Sequence, residues 1–345
     1  MSYQPSVAIV LLNYNGLELL EKNIPFLLSA TYSNKQVVII DNASTDKSVC
    51  LIKEKYPSIF LIELSENNGY AAGYNKGLKL VSADFYILLN TDVQVTPGFI
   101  EPLINTFHQN PGAGACQPKI LSLEQRDRFE YAGAAGGFID RYGYTFARGR
   151  ILNYSETDTG QYEKDSEIFW AGGACFAIKA SLFWQLKGFY DYYFMYSEEV
   201  DLCWRIQLAD KQVFYCRSSI VYHRETVKFA NQSASRVYLV FRNNLIMLLR
   251  NLTWRDKLVI IPVRVVLNIV AAFYFLFKGY FKKSLLIVQS LFAAFKWALF
   301  VKKEKNNCKK PFTHLKMVYK KSILLDCYLR KKKTFSSLRQ DKFKT

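Results

Sequence analysis

Four apolar runs of strand length, spaced by helical patterns, each stop abruptly on carboxamide or carboxylate side chains. The runs cover residues 7–12, 36–40, 59–64 and 85–89, and they end in Asn13-Tyr14-Asn15-Gly16, Asp41-Asn42, Asn67-Asn68-Gly69 and Asn90-Thr91-Asp92. Helical patterns fill 17–28, the stretch up to Tyr56, and 71–81, with Ser44 or Thr45 placed to cap the second. Strands alternating with helices at this rhythm predict βαβ units and a buried parallel sheet. Open α/β sheets bind ligands at the carboxyl edge of their strands, so the polar stops predict one site along that edge. Asn, Thr and Asp also favour plain turns, so the tripeptide Asn90-Thr91-Asp92 needs support from the rest of the chain.

Charge separates the 345 residues into two parts. The net charge is +17, yet residues 250–345 hold 23 Lys+Arg against four Asp+Glu, while residues 1–249 hold 23 against 25. A near-neutral globular part (1–250) is therefore followed by a basic, apolar part (251–345), and any anionic partner belongs to the second. Nucleic acid is a poor fit, because the basic residues lie among apolar helices rather than on a stacking platform. The N-terminus lacks the pattern of a signal peptide, and the seven cysteines form no C-x-x-C pair. Cys50, Cys116, Cys175 and Cys203 sit among apolar residues, which predicts reduced core thiols in a cytosolic compartment.

Further along, a strand reading over 169–178 is entered through Gly172-Gly173, and Ser197 is placed as N-cap of a helix opening with Glu198, Glu199 and Asp201. Carboxylates in a first turn complement the helix dipole. The aromatic approach Phe189, Tyr190, Tyr192, Tyr193, Phe194, Tyr196 adds a buried setting, in which a carboxylate could hold a raised pKa and take a proton from a hydroxyl. Asp92 is a hard oxygen donor, and His223, after a strand-like 220–222, is an imidazole donor; both suit a divalent cation, although a lone His at a strand end can equally be a satisfied polar residue. Asp41 can accept from a base N–H or a ribose hydroxyl. Neither a G-x-G-x-x-G dinucleotide fingerprint after the first strand nor a G-x-x-x-x-G-K-[ST] phosphate loop is present.

In this order, the segments VAIVLLNYNG, VVIIDNASTD, ENNGYAAGYNKG, ILLNTDV, WAGGACFAIK, GFYDYYFMYSEEVDLCWR, VYHR and VYLVFRNNLIMLLRN resemble glycosyltransferase family 2, closest to its rhamnosyltransferase-like subgroup. The resemblance spans roughly residues 7–250 and implies a GT-A (Rossmann-like) α/β fold with a mixed, mostly parallel sheet flanked by helices. It also implies a nucleotide diphosphosugar donor, Mg2+ or Mn2+, and inversion at the anomeric carbon. By position, Asp41 looks like the residue reading the nucleobase, Asn13 lines its pocket, and Asn68-Gly69 border the donor. Asn90-Thr91-Asp92 stands where the family has D-x-D, so Asp92 would bind metal with His223, while Asn90 can only hydrogen-bond or act through water. Gly172-Gly173 would wall the sugar. Glu199 falls where the family usually has a catalytic Asp, with Glu198 or Asp201 able to share the role. The implied acceptor is lipid-linked or polysaccharide; another sugar, such as a galactofuranose, hexose or N-acetylhexosamine, or a silent nucleotide-sugar-binding scaffold, is the alternative.

Residues 258–277 are apolar enough to propose a membrane span, and 284–301 is a weaker candidate. Lys257, Arg264 and Lys278, and Lys282, Gln289, Lys296 and Lys303, recur at multiples of seven and predict a narrow polar stripe on each helix. Helices lying in the interface of the cytoplasmic membrane face, or a shallow hairpin with stripes facing each other, follow from this, with residues 302–333 attracting anionic headgroups. A soluble helical subdomain is the plainer alternative.

Overall fold

The computed structural model describes residues 4–130, 133–224, 233–301 and 310–343. It opens with β1 (Val7–Asn13), α1 (Leu17–Leu28), β2 (Lys35–Asp41), α2 (Ser48–Lys55), β3 (Phe60–Glu63), α3 (Gly69–Leu78), β4 (Phe85–Leu89), β5 (Val93–Val95), α4 (Ile100–Gln109) and β6 (Ala113–Ser122). Short strands follow: β7 (Gly137–Asp140), β8 (Thr145–Ala147), β9 (Arg150–Ile151), β10 (Tyr154–Ser155) and β11 (Ser166–Ile168). Then come β12 (Cys175–Lys179), α5 (Ala180–Gln185), α6 (Glu198–Leu208), β13 (Gln212–His223), α7 (Ala234–Asn251), α8 (Trp254–Phe277), α9 (Phe281–Phe300) and β14 (Val318–Tyr319).

The main sheet runs β11-β13-β6-β12-β4-β1-β2-β3, with β5 paired to the end of β13. Strands β3, β2, β1 and β4 are parallel, β12 is antiparallel to β4 and β6, and β6 and β13 run parallel to each other. Apolar residues of α1, α2 and α4 cover one face and those of α3, α5 and α6 the other. That double cover is why β4 is buried at every position and reads as an unbroken apolar run. The sheet is thus mixed and rich in parallel strands, as the βαβ rhythm predicts.

Several local expectations change. Ser44 does not cap α2: its hydroxyl accepts from the Asn15 amide, and Asp46 accepts from Ser48 N at the helix start. Ser197 precedes α6 in a left-handed conformation (φ +75°) and makes no side-chain cap. The strand-like 220–222 is the end of a longer strand, β13 (Gln212–His223), which has register shifts against β6. Cys116, Cys175 and Cys203 are buried free thiols, whereas Cys50 is exposed on α2.

Residues 251–345 are not helical throughout. Residues 310–343 pack back onto the body: β14 pairs with β7, Phe312 stacks on Trp204, and Phe335 and Phe343 pack on Phe138. Some of their basic residues form ion pairs, Lys316 with Glu167 and both Arg330 and Lys332 with Asp326. Residues 302–309, part of the stretch expected to attract anionic headgroups, lie outside the described residues. Buried apolar rings outweigh charge pattern in placing this segment.

Helices α8 and α9 are long and apolar enough to cross a membrane by length and composition alone. They pack as a hairpin against α7. Their polar stripes do not face each other. Arg264 turns into the body, its guanidinium over the Tyr144 ring at 3.5 Å, and Asn268, Ser284 and Ser290 are also buried. The outward faces carry Leu258, Val259, Val266, Val270, Phe273 and Phe277 on α8 and Phe281, Leu285, Phe292, Leu299 and Phe300 on α9.

Candidate functional site

Register brings the polar strand ends together. Asn13 pairs with Asp41 across β1 and β2, and Leu11 pairs with Leu89 across β1 and β4, so Asn90 ends level with Leu12. Asn13 Nδ2 donates to Asp41 Oδ1 at 2.9 Å, and Ser44 N donates to Asp41 Oδ2 at 2.9 Å, holding a buried carboxylate at the edge. Asn42 accepts from Asn68 N at 3.0 Å and donates to Gly69 O at 3.1 Å, which anchors the start of α3. The Asn68 side chain itself turns outward and accepts from Lys76.

On the other side of β4, Cys175 pairs with Leu89, and Asn90 N donates to Ala174 O at 2.9 Å. Gly172-Gly173 therefore arrive beside Asn90-Thr91. Gly172 N donates to Gln117 Oε1, and Gly173 O accepts from the Tyr70 hydroxyl at 3.0 Å. A Cβ placed on Gly173 would lie 3.7 Å from the Glu199 side chain and 3.5 Å from the Tyr70 hydroxyl, so Glu199, Tyr70 and the glycine pair share one corner.

That corner shifts its acids. Burial, then Glu199 and Asp201, push the Glu198 carboxyl well up, and burial pushes Glu199 up to about 7. Asp201 behaves oppositely. Burial would raise it, but Arg205 and Arg250 outweigh burial and hold it below the usual carboxylate range. It accepts from Arg205 Nε at 2.8 Å, Arg250 Nη1 at 2.7 Å, Asn251 Nδ2 at 2.7 Å and the Tyr193 hydroxyl at 3.0 Å. Asp201 is thus the hub tying α6 to α7, with its oxygens engaged by these four donors.

The segment leading to Glu198 is strained. Phe194 (φ +63°, ψ −57°) centres a γ-turn closed by Met195 N to Tyr193 O at 2.7 Å, and Tyr196 and Ser197 follow at φ +73° and +75°. Left-handed backbone costs non-glycine residues about 1–2 kcal/mol each, so surrounding contacts must hold this loop. Its Phe194 carbonyl accepts from Tyr70 N at 2.5 Å, which joins the loop to α3.

Asp92 and His223 lie on the far side of the tripeptide. Val93 pairs with His223 across β5 and β13, and His223 Nε2 sits 3.1 Å from Asp92 Oδ1. His223 Nδ1 lies 2.9 Å from Glu130 Oε2, a residue that sequence reasoning missed because nothing local marks it. Burial opposes charge on the imidazole, but Asp92 and Glu130 outweigh it and push the pKa up to about 10. Among the described residues no three His, Cys, Asp or Glu side chains cluster closely enough to cage a metal ion. Asp92 and Glu130 flank the two ring nitrogens of His223, so the imidazole must give up a proton before Nε2 has a lone pair to offer a cation.

A sheet edge with a buried acceptor at Asp41, two donors suited to a divalent ion, and a carboxyl poised near neutrality has the features of a group-transfer enzyme of GT-A type. The sequence model described as "Glycosyl transferase family 2" matches residues 6–204. The chain is 29% identical over 252 residues to the N-acetylglucosaminyl-diphospho-decaprenol L-rhamnosyltransferase of Mycobacterium tuberculosis, covering 66% of this chain and 79% of that one. Its fold is similar to GalNAc-T7 solved with UDP, GalNAc and Mn2+ (TM-score 0.58, 13% identity, 74% of this chain and 50% of that one). It is also similar to the mannosyltransferase PcManGT of Pyrobaculum calidifontis solved with GDP-Man and Mn2+ (TM-score 0.52, 14% identity, 87% and 89%). The chain belongs to glycosyl transferase family 2 and is a glycosyltransferase.

Proposed function

We propose an inverting, divalent-metal-dependent transferase that moves a sugar from a nucleoside diphosphosugar to a hydroxyl of a lipid-linked acceptor. L-Rhamnose is the leading sugar, from the similarity to the mycobacterial enzyme. The observation that carries this reading is the meeting of Glu199, raised to about 7, with Gly173 and Tyr70 beside the strand that bears Asn90-Thr91-Asp92. Asp41 and Asn13 receive the nucleobase and ribose. Asp92 and His223 would hold Mg2+ or Mn2+, whose charge would offset that of the leaving diphosphate. Glu199 takes the proton of the acceptor hydroxyl; that oxygen bonds to the anomeric carbon as the bond to diphosphate breaks, so the configuration inverts. Glu198 lies deeper in the protein, and burial pushes its carboxyl well up, which leaves Glu199 as the more accessible base.

The apolar outer faces of α8 and α9 support attachment to an anionic membrane surface, where a lipid-linked acceptor would be found. Their buried Arg264 and Asn268 favour helices lying along the surface over helices crossing it. Assay of UDP-, GDP- and dTDP-sugars against a polyprenyl-diphospho-sugar, with and without Mn2+, tests the whole reading. Transfer from one donor, lost on chelation and in Glu199→Gln, is expected. Tight donor binding with no turnover of any donor would point to a scaffold instead.

A further inference from the structure

Helix α7 lies behind the strained loop, and its fully buried Asn243 reaches into it. Arg242 Nε donates to Asn243 Oδ1 at 2.9 Å, which turns the amide nitrogen toward the loop. From there Nδ2 donates to the carbonyls of Tyr193 (2.9 Å), Met195 (2.7 Å) and Tyr196 (2.9 Å). These three carbonyls surround the turn whose Phe194, Tyr196 and Ser197 are left-handed, immediately before Glu198 and Glu199. Arg242 Nη2 adds bonds to Tyr192 O and Tyr193 O. The hydrogen bonds of Asn243 run to Arg242 and to the loop carbonyls, so it acts on the Glu199 corner through the loop.

We infer that Asn243 is a positioning residue: its amide holds the loop 193–197 in the one conformation that presents Glu199 to the acceptor hydroxyl. The inference rests on Glu199 as base. An amide is required for this, because the loop offers only acceptors and a carboxylate of the same shape offers no donor. The loop also joins α3 through Phe194 O, so a slack loop would retreat from the acceptor side while the nucleobase pocket at Asp41 stays intact.

The test compares Asn243→Asp, Arg242→Ala and Glu199→Gln in the full chain, with melting temperature measured for each. For Asn243→Asp, kcat is expected to fall about 10–100-fold, the loss typical of a misplaced catalytic group, with the donor KM within about twofold. Loss of donor binding in parallel with kcat would overturn a positioning role, as would an unchanged kcat while Glu199→Gln is inactive. Retained turnover by Glu199→Gln would instead remove the base assignment itself, and the inference with it. Should Asn243→Asp fail to fold, Arg242→Ala decides: a kcat loss at constant donor KM supports the clamp, and an unchanged kcat overturns it.

Discussion

At the residue scale, the site works by giving similar groups dissimilar surroundings. Glu198, Glu199 and Asp201 occupy one helical turn, yet two are pushed up by burial and the third is held down by Arg205 and Arg250. A base must be deprotonated, and a raised carboxyl pKa favours the acid form. Transfer at subsaturating acceptor should therefore rise with pH through about 7 and fall toward tenfold per unit below it, read from a pH–rate profile. The same shift makes the folded state bind the proton more tightly, so this contribution to stability is present at low pH and lost as pH rises from 4.5 to about 7. Behind His223, Glu130 fixes the imidazole so that Nε2 faces Asp92. Glu130→Gln should weaken Mn2+ binding about 10–100-fold, measured by titration of free Mn2+, and lower the melting temperature through loss of the buried His223 ion pair. An unaltered Mn2+ affinity would remove Glu130 from the metal site.

At the element scale, the first turn of α3 meets the loop before α6. Gly69 sits at φ +72°, and a Cβ there would fall 2.4 Å from the Phe194 ring and 2.5 Å from its carbonyl oxygen. Gly69→Ala should displace the loop, lowering transfer at least tenfold while adding about 1–2 kcal/mol of backbone strain, as followed by kinetics and urea unfolding. Wild-type kinetics in that variant would show that the loop adapts freely. The glycine and its Asn-rich approach were legible in the sequence, because close backbone approach needs glycine. The loop's own strain was not, since Phe194, Tyr196 and Ser197 carry no local sign of left-handed backbone. Asn243 had a partial signal, an Asn pair inside an apolar helix, but its three acceptors belong to a segment some fifty residues earlier.

At the scale of the whole molecule, one part of the basic C-terminal stretch joins the body and another stays exposed. Residues 310–343 complete the small sheet β10-β9-β8-β7-β14, while α8 and α9 keep an apolar outer face. Phe277 and Phe292 are 86% and 73% exposed, so charging them leaves the core intact. The double variant Phe277→Glu, Phe292→Glu should leave anionic liposomes in a flotation assay while keeping its melting temperature. Continued flotation with the liposomes would place the membrane contact elsewhere.

The sequence alone determined the strand–helix rhythm, the double cover of the parallel strands and the edge carrying Asn13, Asp41, Asn90 and Asp92. Each of these follows from periodicity and from where an apolar run stops. Tertiary structure alone decided what depends on partners remote in the chain. It set Glu130 behind His223, made Asp201 an ion-pair hub, turned Arg264 inward and returned Phe312 and Phe335 to the body. A side chain's role at such positions is set by the charges and rings packed around it, and packing is a property of the folded chain.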